Sequence, residues 1–83
     1  MDTRSDVLAV LDDVLSLDGR ARRFNDETPL LGALPELDSM AVANVLASLE
    51  ERFGFVIDDE EIDGSIFATV GTLAAFVQSK MQT

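Results

Sequence analysis

No histidine, cysteine, tyrosine or tryptophan occurs among the 83 residues, and Lys80 is the only lysine. Nucleophile and general-base arrangements need a group that titrates near neutrality, so carboxylates, hydroxyls and arginines are all that is left for chemistry. Paired carboxylates can do glycosidase-type work, but a chain this short leaves little room for a substrate cleft. A self-sufficient enzyme is therefore not expected, and no catalytic residue is assigned. The acidic run "DEEIDG" invites a calcium reading, because Asp59, Glu61, Asp63 and Gly64 fall at loop positions one, three, five and six. An EF-hand needs a bidentate Glu at position twelve, and Val70 stands there, so no metal site is expected. Acid at a helix N-terminus, where the dipole favours it, is the plainer reading of that run.

The stretch "ELDSMAVANVL", residues 36–46, places Asp38 and Ser39 together before a long apolar run. One capping residue is enough to start a helix, and Asp38 suits that role, with Ser39 as the first helical residue. The second polar residue then has a hydroxyl to spare. A helix N-terminus offers free N–H groups and the positive end of the dipole, and the long loop before Ser39 exposes it, so this is a good place to attach something anionic.

The elements that must position these residues are legible from spacing. Val7, Leu11, Val14 and Leu15, flanked by Leu8 and Val10, recur at three- and four-residue intervals and predict a helix over 3–17, capped by Thr3 or Ser5 and ended by Gly19. Over 20–37 the pattern dissolves into "ARRFNDETPLLGALPEL", where Pro29, Gly32 and Pro35 forbid a continuous helix. Such a loop is longer than most, yet Phe24, Leu30, Leu31, Leu34 and Leu37 can fold back on the core. A second helix is expected over 39–52, with Val42, Val45, Leu46, Leu49 and Phe53 inward and Gly54 as its stop. Its first ten residues carry no charge, so it is either buried on most sides or keeps an apolar face for a partner. A brief third helix is expected near 59–63. The last begins around 69–72, uses Val70, Leu73, Ala74, Val77 and Met81, and places Lys80 in its final turn to suit the dipole. The expected fold is all-α, a small bundle of three long helices plus one short helix, formed by residues 1–83 as one domain.

Bulk properties agree. A domain of this size buries only roughly 60 to 65% of its unfolded surface, and with no cysteine to staple the core, packing alone must hold it. The 47% apolar content is too high for a disordered acidic tail. The longest lightly charged run, 40–49, falls far short of the ~20 residues of a membrane span, and no leader-like segment opens the chain, so a cytoplasmic monomer is expected. The net charge is −10, and residues 36–63 alone hold nine carboxylates against Arg52. That field repels nucleic acid and anionic lipid and draws in basic partners. The cluster "GRARRF" (Arg20, Arg22, Arg23) is expected to be a solvated loop feature.

At this point the sequence resembles the acyl carrier protein family. "PELDSMAVANVLASLEERFG" is similar to that family's attachment segment, in which Asp-Ser followed by Leu or Met opens the second helix and an acidic pair plus an aromatic closes it. "ETPLLGAL" resembles its first loop, and "IDDEEIDGSIFATVGTLAAFV" its short third helix and the Thr-Val opening of its fourth. The likeness covers about residues 5–80.

The resemblance implies that Ser39 carries 4′-phosphopantetheine, transferred from coenzyme A by a magnesium-dependent phosphopantetheinyl transferase, and that the arm's thiol holds acyl groups as thioesters. The chemistry would then sit on the prosthetic group and on partner enzymes, which explains how so poor an inventory suffices. It also implies that acyl-loading and acyl-transferring enzymes with basic docking patches meet Asp38, Met40, Glu50 and Glu51 near or along helix two, with Asp59, Glu60 and Glu61 beyond, contacts that mostly set on-rate and salt dependence. Fatty-acid carriers commonly place acids early in helix two, where this chain has Ala41 and Asn44, and Arg52 reverses a frequent acid near its end. "GRARRFNDETPLLGALPELDSMAV" looks more like the stand-alone carriers associated with exosortase and exopolysaccharide systems than like the general carrier of fatty acid biosynthesis. Two alternatives remain open: an aminoacyl or peptidyl carrier, which low helix-two charge fits, and a non-carrier acidic helical adaptor in which Ser39 is merely structural.

Overall fold

The computed structural model describes residues 3–81, Asp59 through its backbone alone. It contains three α-helices, α1 (Thr3–Leu15), α2 (Ser39–Phe53) and α3 (Val70–Met81), joined by 3₁₀ turns at Arg20–Arg23, Asp59–Glu61 and Gly64–Phe67. The expected short helix thus takes the form of two successive turns. Asp63 lies between them: its backbone is extended and its carboxylate accepts the Ser65 N–H at 3.0 Å, starting the second turn.

Helix α1 packs against both α2 and α3. Val7 and Leu11 are fully buried on it and Val10 and Leu15 nearly so, the three- and four-residue spacing of one helix face. It ends at Leu15, two residues earlier than the apolar spacing suggests. Ser16 turns left-handed (φ 54°) and the Leu17 N–H closes back on the Asp12 carbonyl at 3.0 Å, the six-to-one bond of a Schellman motif. Leu17 is still fully buried, so the periodicity continues past the helix because the turn folds Leu17 inward. Thr3 and Ser5 both lie inside α1, and its cap falls outside the described residues.

The segment 16–38 is tied down in two places. The Asp12 carboxylate accepts the N–H groups of Gly19 and Ala21 at 3.1 and 3.2 Å, shaping the first 3₁₀ turn. Further on, the chain runs antiparallel to the start of α3: Leu30 and Leu31 donate to the carbonyls of Ala68 and Phe67, while Val70 and Gly71 donate to those of Thr28 and Asp26 at 3.0 and 2.9 Å. Two of the orphan N–H groups of α3 are therefore satisfied by the loop. Thr69 and Thr72 complete the cap reciprocally, each hydroxyl accepting the other's N–H. Extended backbone alternates its side chains, which corrects the expectation that both leucines face inward: Leu30 is fully buried and Leu31 is 47% exposed. Leu37 is buried, Phe24 and Leu34 half-buried.

Helix α2 runs one residue further than expected, to Phe53, and stops at Gly54, whose φ of 77° is the left-handed geometry a side chain resists. Val45, Leu46 and Leu49 are buried, Val42 and Phe53 partly so, and Phe53 stacks on Phe55 across the turn with centroids 6.0 Å apart. In α3, Val70, Leu73 and Val77 are fully buried, whereas Met81, expected inward, is exposed at the last turn. Ile66 and Phe67 fill the core beside them. Among the described residues no helix is long and apolar enough to cross a membrane.

Candidate functional site

Asp38, Ser39 and Met40 form one exposed corner at the start of α2. Asp38 has the extended backbone of an N-cap (φ −98°, ψ −174°), and its Oδ1 accepts the Ala41 N–H at 2.8 Å while its carbonyl accepts the first intrahelical bond from Val42 at 2.9 Å. The division of labour between the two polar residues follows. The cap is complete without Ser39, whose hydroxyl is exposed and, among the described residues, makes no hydrogen bond. It also stands at a helix N-terminus, where backbone N–H groups and the dipole favour an attached anion. Met40, 74% exposed, sets an apolar side chain beside it.

Support for this corner comes from Glu36, which sequence reasoning did not single out, and from Arg20, which it read only as a solvated loop residue. The Arg20 guanidinium donates to the Leu17 carbonyl at 3.2 Å through Nε and to Glu36 Oε2 through its terminal nitrogen, so it spans from the end of α1 to the approach of α2. The bond to Arg20 holds the Glu36 carboxyl below the usual carboxylate value. Of the expected loop cluster, all three arginines are exposed, and Arg20 is also engaged with Glu36. No local pattern marks a pair sixteen residues apart; the one available signal was an opposite charge at each end of an unusually long loop.

The remaining site candidates lie elsewhere. Glu50 and Glu51 sit in the last turns of α2, about 17 Å along the helix from Ser39. Glu50 is half-buried and its Oε2 accepts the Ile57 N–H at 2.7 Å, pinning the chain as it leaves the helix. Glu51 is exposed, beside Arg52, which pairs with Asp6 of α1 at 3.2 Å. Asp59 and Glu60 occupy the first of the two 3₁₀ turns that follow α2, and Glu60 is exposed. Their neighbour Glu61 is committed: both of its oxygens lie 2.8 Å from Lys80 Nζ and one also accepts the Asp58 N–H. Lys80 depresses the Glu61 pKa first and that N–H adds to it. Lys80 therefore does more than suit the dipole of α3. Of the carboxylates of "DEEIDG", Glu61 turns to Lys80 and Asp63 to the Ser65 N–H.

The comparisons with known proteins bear on this corner. Residues 5–77 match the family described as the phosphopantetheine attachment site. A solution structure of a holo acyl carrier protein from Nitrosomonas europaea is 46% identical over the whole of both chains and superposes with a TM-score of 0.92. This chain belongs to the acyl carrier protein family. No protein with a curated description matches it. As an acyl carrier protein it works with covalently attached 4′-phosphopantetheine, as a carrier rather than a catalyst, between a phosphopantetheinyl transferase and acyl-handling enzymes. The residues present fit that group: attachment needs a hydroxyl that a transferase can reach and the fold does not use, and the corner supplies one.

Proposed function

We propose that Ser39 is the attachment residue and that residues 1–83 act as one stand-alone carrier domain. The observation that carries the proposal is the exposed, uncommitted Ser39 hydroxyl on a helix already capped by Asp38. In loading, Ser39 Oγ displaces the nucleotide portion of coenzyme A at phosphorus, forming a phosphodiester and giving up its proton to a base on the transferase. When bound, the group supplies a terminal thiol for acyl thioesters. The protein's own residues then do two things. Asp38 holds the first turn of α2 rigid beneath the attachment point, and the tether raises the effective concentration of cargo at a docked partner.

Partner enzymes meet this carrier at Asp38 and Met40 near the attachment point and at Glu51 and Glu60 further out, with Asp59 beside them. Glu50 contributes less than the sequence suggests, because one of its oxygens is spent on Ile57. The exposed face between them, Met40, Ala43, Asn44 and Ala47, is uncharged, which supports partners that combine a basic rim with apolar contact. The acyl groups delivered belong to lipid, polyketide or exopolysaccharide-linked metabolism, the last supported by the loop block 19–42. The carrier works in the cytoplasm as a monomer.

The test is intact mass after incubation with coenzyme A, magnesium and a broad-specificity phosphopantetheinyl transferase. One phosphopantetheine is expected on the parent and none on Ser39→Ala. An unmodified parent beside a modified control carrier refutes the carrier reading and favours an adaptor. Modification of Ser39→Ala refutes the residue.

A further inference from the structure

Ser39 lies at the end of the long connection 16–38, and a connection of that length has many ways to deliver its last residues unless something restricts it. Its middle is bonded to α3 and its beginning to Asp12. The final stretch, 32–38, has short turn bonds of its own (Leu34 to Leu30, Leu37 to Leu34, Asp38 to Glu36) and the buried Leu37. Among the described residues, one side-chain bond joins it to the first turn of the loop, and that is Arg20 to Glu36. Arg20 is itself fixed on both sides, because the Asp12 carboxylate binds the N–H groups of Gly19 and Ala21, and its own Nε is tied to Leu17. Glu36 is turned toward the protein: its second oxygen, Oε1, is shielded from solvent and has no hydrogen-bond partner. Two residues then separate Glu36 from Ser39.

We infer that Arg20, acting through Glu36, is a positioning residue for the modification of Ser39: it clamps the approach to α2 and so presents the hydroxyl in one orientation to the transferase. The inference rests on Ser39 being the attachment residue. Without Arg20, a carboxylate with one shielded oxygen and no partner swings outward to find water, and it carries the Leu37–Asp38 link with it. The transferase can still seize the corner, but must order it first. The loss therefore falls on KM for the apo carrier and leaves kcat close to the parent's. With side chains 57% and 32% exposed, the pair is a surface one, so the expected rise in KM is about two- to fivefold.

The experiment is a double-mutant cycle on loading kinetics with Arg20→Ala, Glu36→Ala and both together, beside the charge swap Arg20→Glu with Glu36→Arg. Each single truncation is expected to raise KM; the double variant should be no worse than either, and the swap should recover most of the loss. Amide chemical shifts of residues 37–40 should move in Arg20→Ala while those of α3 stay put, a readout that needs no transferase. Equal loss from Arg20→Ala in both Glu36 backgrounds overturns the inference, because Arg20 would then touch the enzyme directly. Unchanged KM and unchanged shifts overturn it as well, yet leave the carrier function standing. A parent that is never loaded refutes the carrier function and this inference with it.

Discussion

Gly71→Ala is the substitution for which helix propensity and the folded structure give opposite signs. Gly71 lies in the first turn of α3, and on propensity alone Ala should stabilise a helix position by about 0.8 to 1 kcal/mol. A Cβ at Gly71, however, would stand 2.9 Å from the Asp26 carbonyl oxygen and 3.2 Å from the Asp26 Cβ. That same oxygen accepts the Gly71 N–H at 2.9 Å, so backbone is pressed against backbone with no flexible side-chain end to give way. Relief means parting the loop from the helix. One hydrogen bond is lost, about 0.5 to 1.5 kcal/mol, with an overpacking cost of about 1 to 3 kcal/mol. Net destabilisation of about 1 to 3 kcal/mol is expected. Urea unfolding followed by far-UV circular dichroism should show the midpoint falling by about 1 to 3 M at unchanged slope, since the slope for a chain this small is about 1 kcal/mol per molar. Ala75→Gly, on an exposed site of the same helix, calibrates propensity and should cost about 1 kcal/mol. A Gly71→Ala protein as stable as the parent or more so would refute the claim that the loop is seated on the start of α3.

Asp38→Ala should cost about 1 kcal/mol and Asp38→Asn only a few tenths, because Asn keeps the acceptor for the Ala41 N–H; urea midpoints of the two variants decide it. Leu49→Ala, at a fully buried site, should cost about 2 to 5 kcal/mol, whereas Met40→Ala, on the exposed corner, should stay within about 0.5 kcal/mol. Acid should weaken the fold through Glu36 and Glu61, whose pKa values lie below the usual 4.5 when folded. Carboxylates of this kind add stability above that usual value and lose it as pH falls through the lowered one. The stability gap between the parent and Lys80→Ala, measured by thermal unfolding, should therefore be constant near neutrality and close as the pH drops below 4.5.

Local patterns revealed the helices and the corner, while contacts between distant residues were not legible. The inward stripes of α1 and α2 follow from spacing, and Asp38, Ser39 and Gly54 announce a helix's limits by side-chain type alone. Leu31 and Met81 were misplaced for physical reasons. Alternation in an extended loop depends on its having an antiparallel partner, which lies nearly forty residues away, and exposure at a helix end depends on what covers it. The two turns in place of a short helix depend on which N–H the Asp63 carboxylate takes. Glu50 was read as a surface acid because periodicity says nothing of Ile57, and the pairs Arg20–Glu36 and Lys80–Glu61 join elements that only the folded chain brings together.

The acidic turn after α2 is held unlike the rest of the carrier. Over 55–63, Ile57 is the one buried residue among those whose side chains are described, and Val56 stands 73% exposed. Glu50 secures the Ile57 N–H, Glu61 the Asp58 N–H, and Lys80 holds Glu61 against α3. Two carboxylates and one ammonium thus do here what apolar burial does along α1. Such a segment opens at far lower free energy than a packed helix, so its amides should exchange with solvent deuterium well ahead of those of Val7 and Leu11. Because Glu61 is held to α3 by an ion pair, added salt, and acid below the usual 4.5, should speed that opening before either unfolds the bundle. The stretch that carries Asp58, Glu60 and Asp63, all exposed, is also the stretch the carrier can loosen by itself.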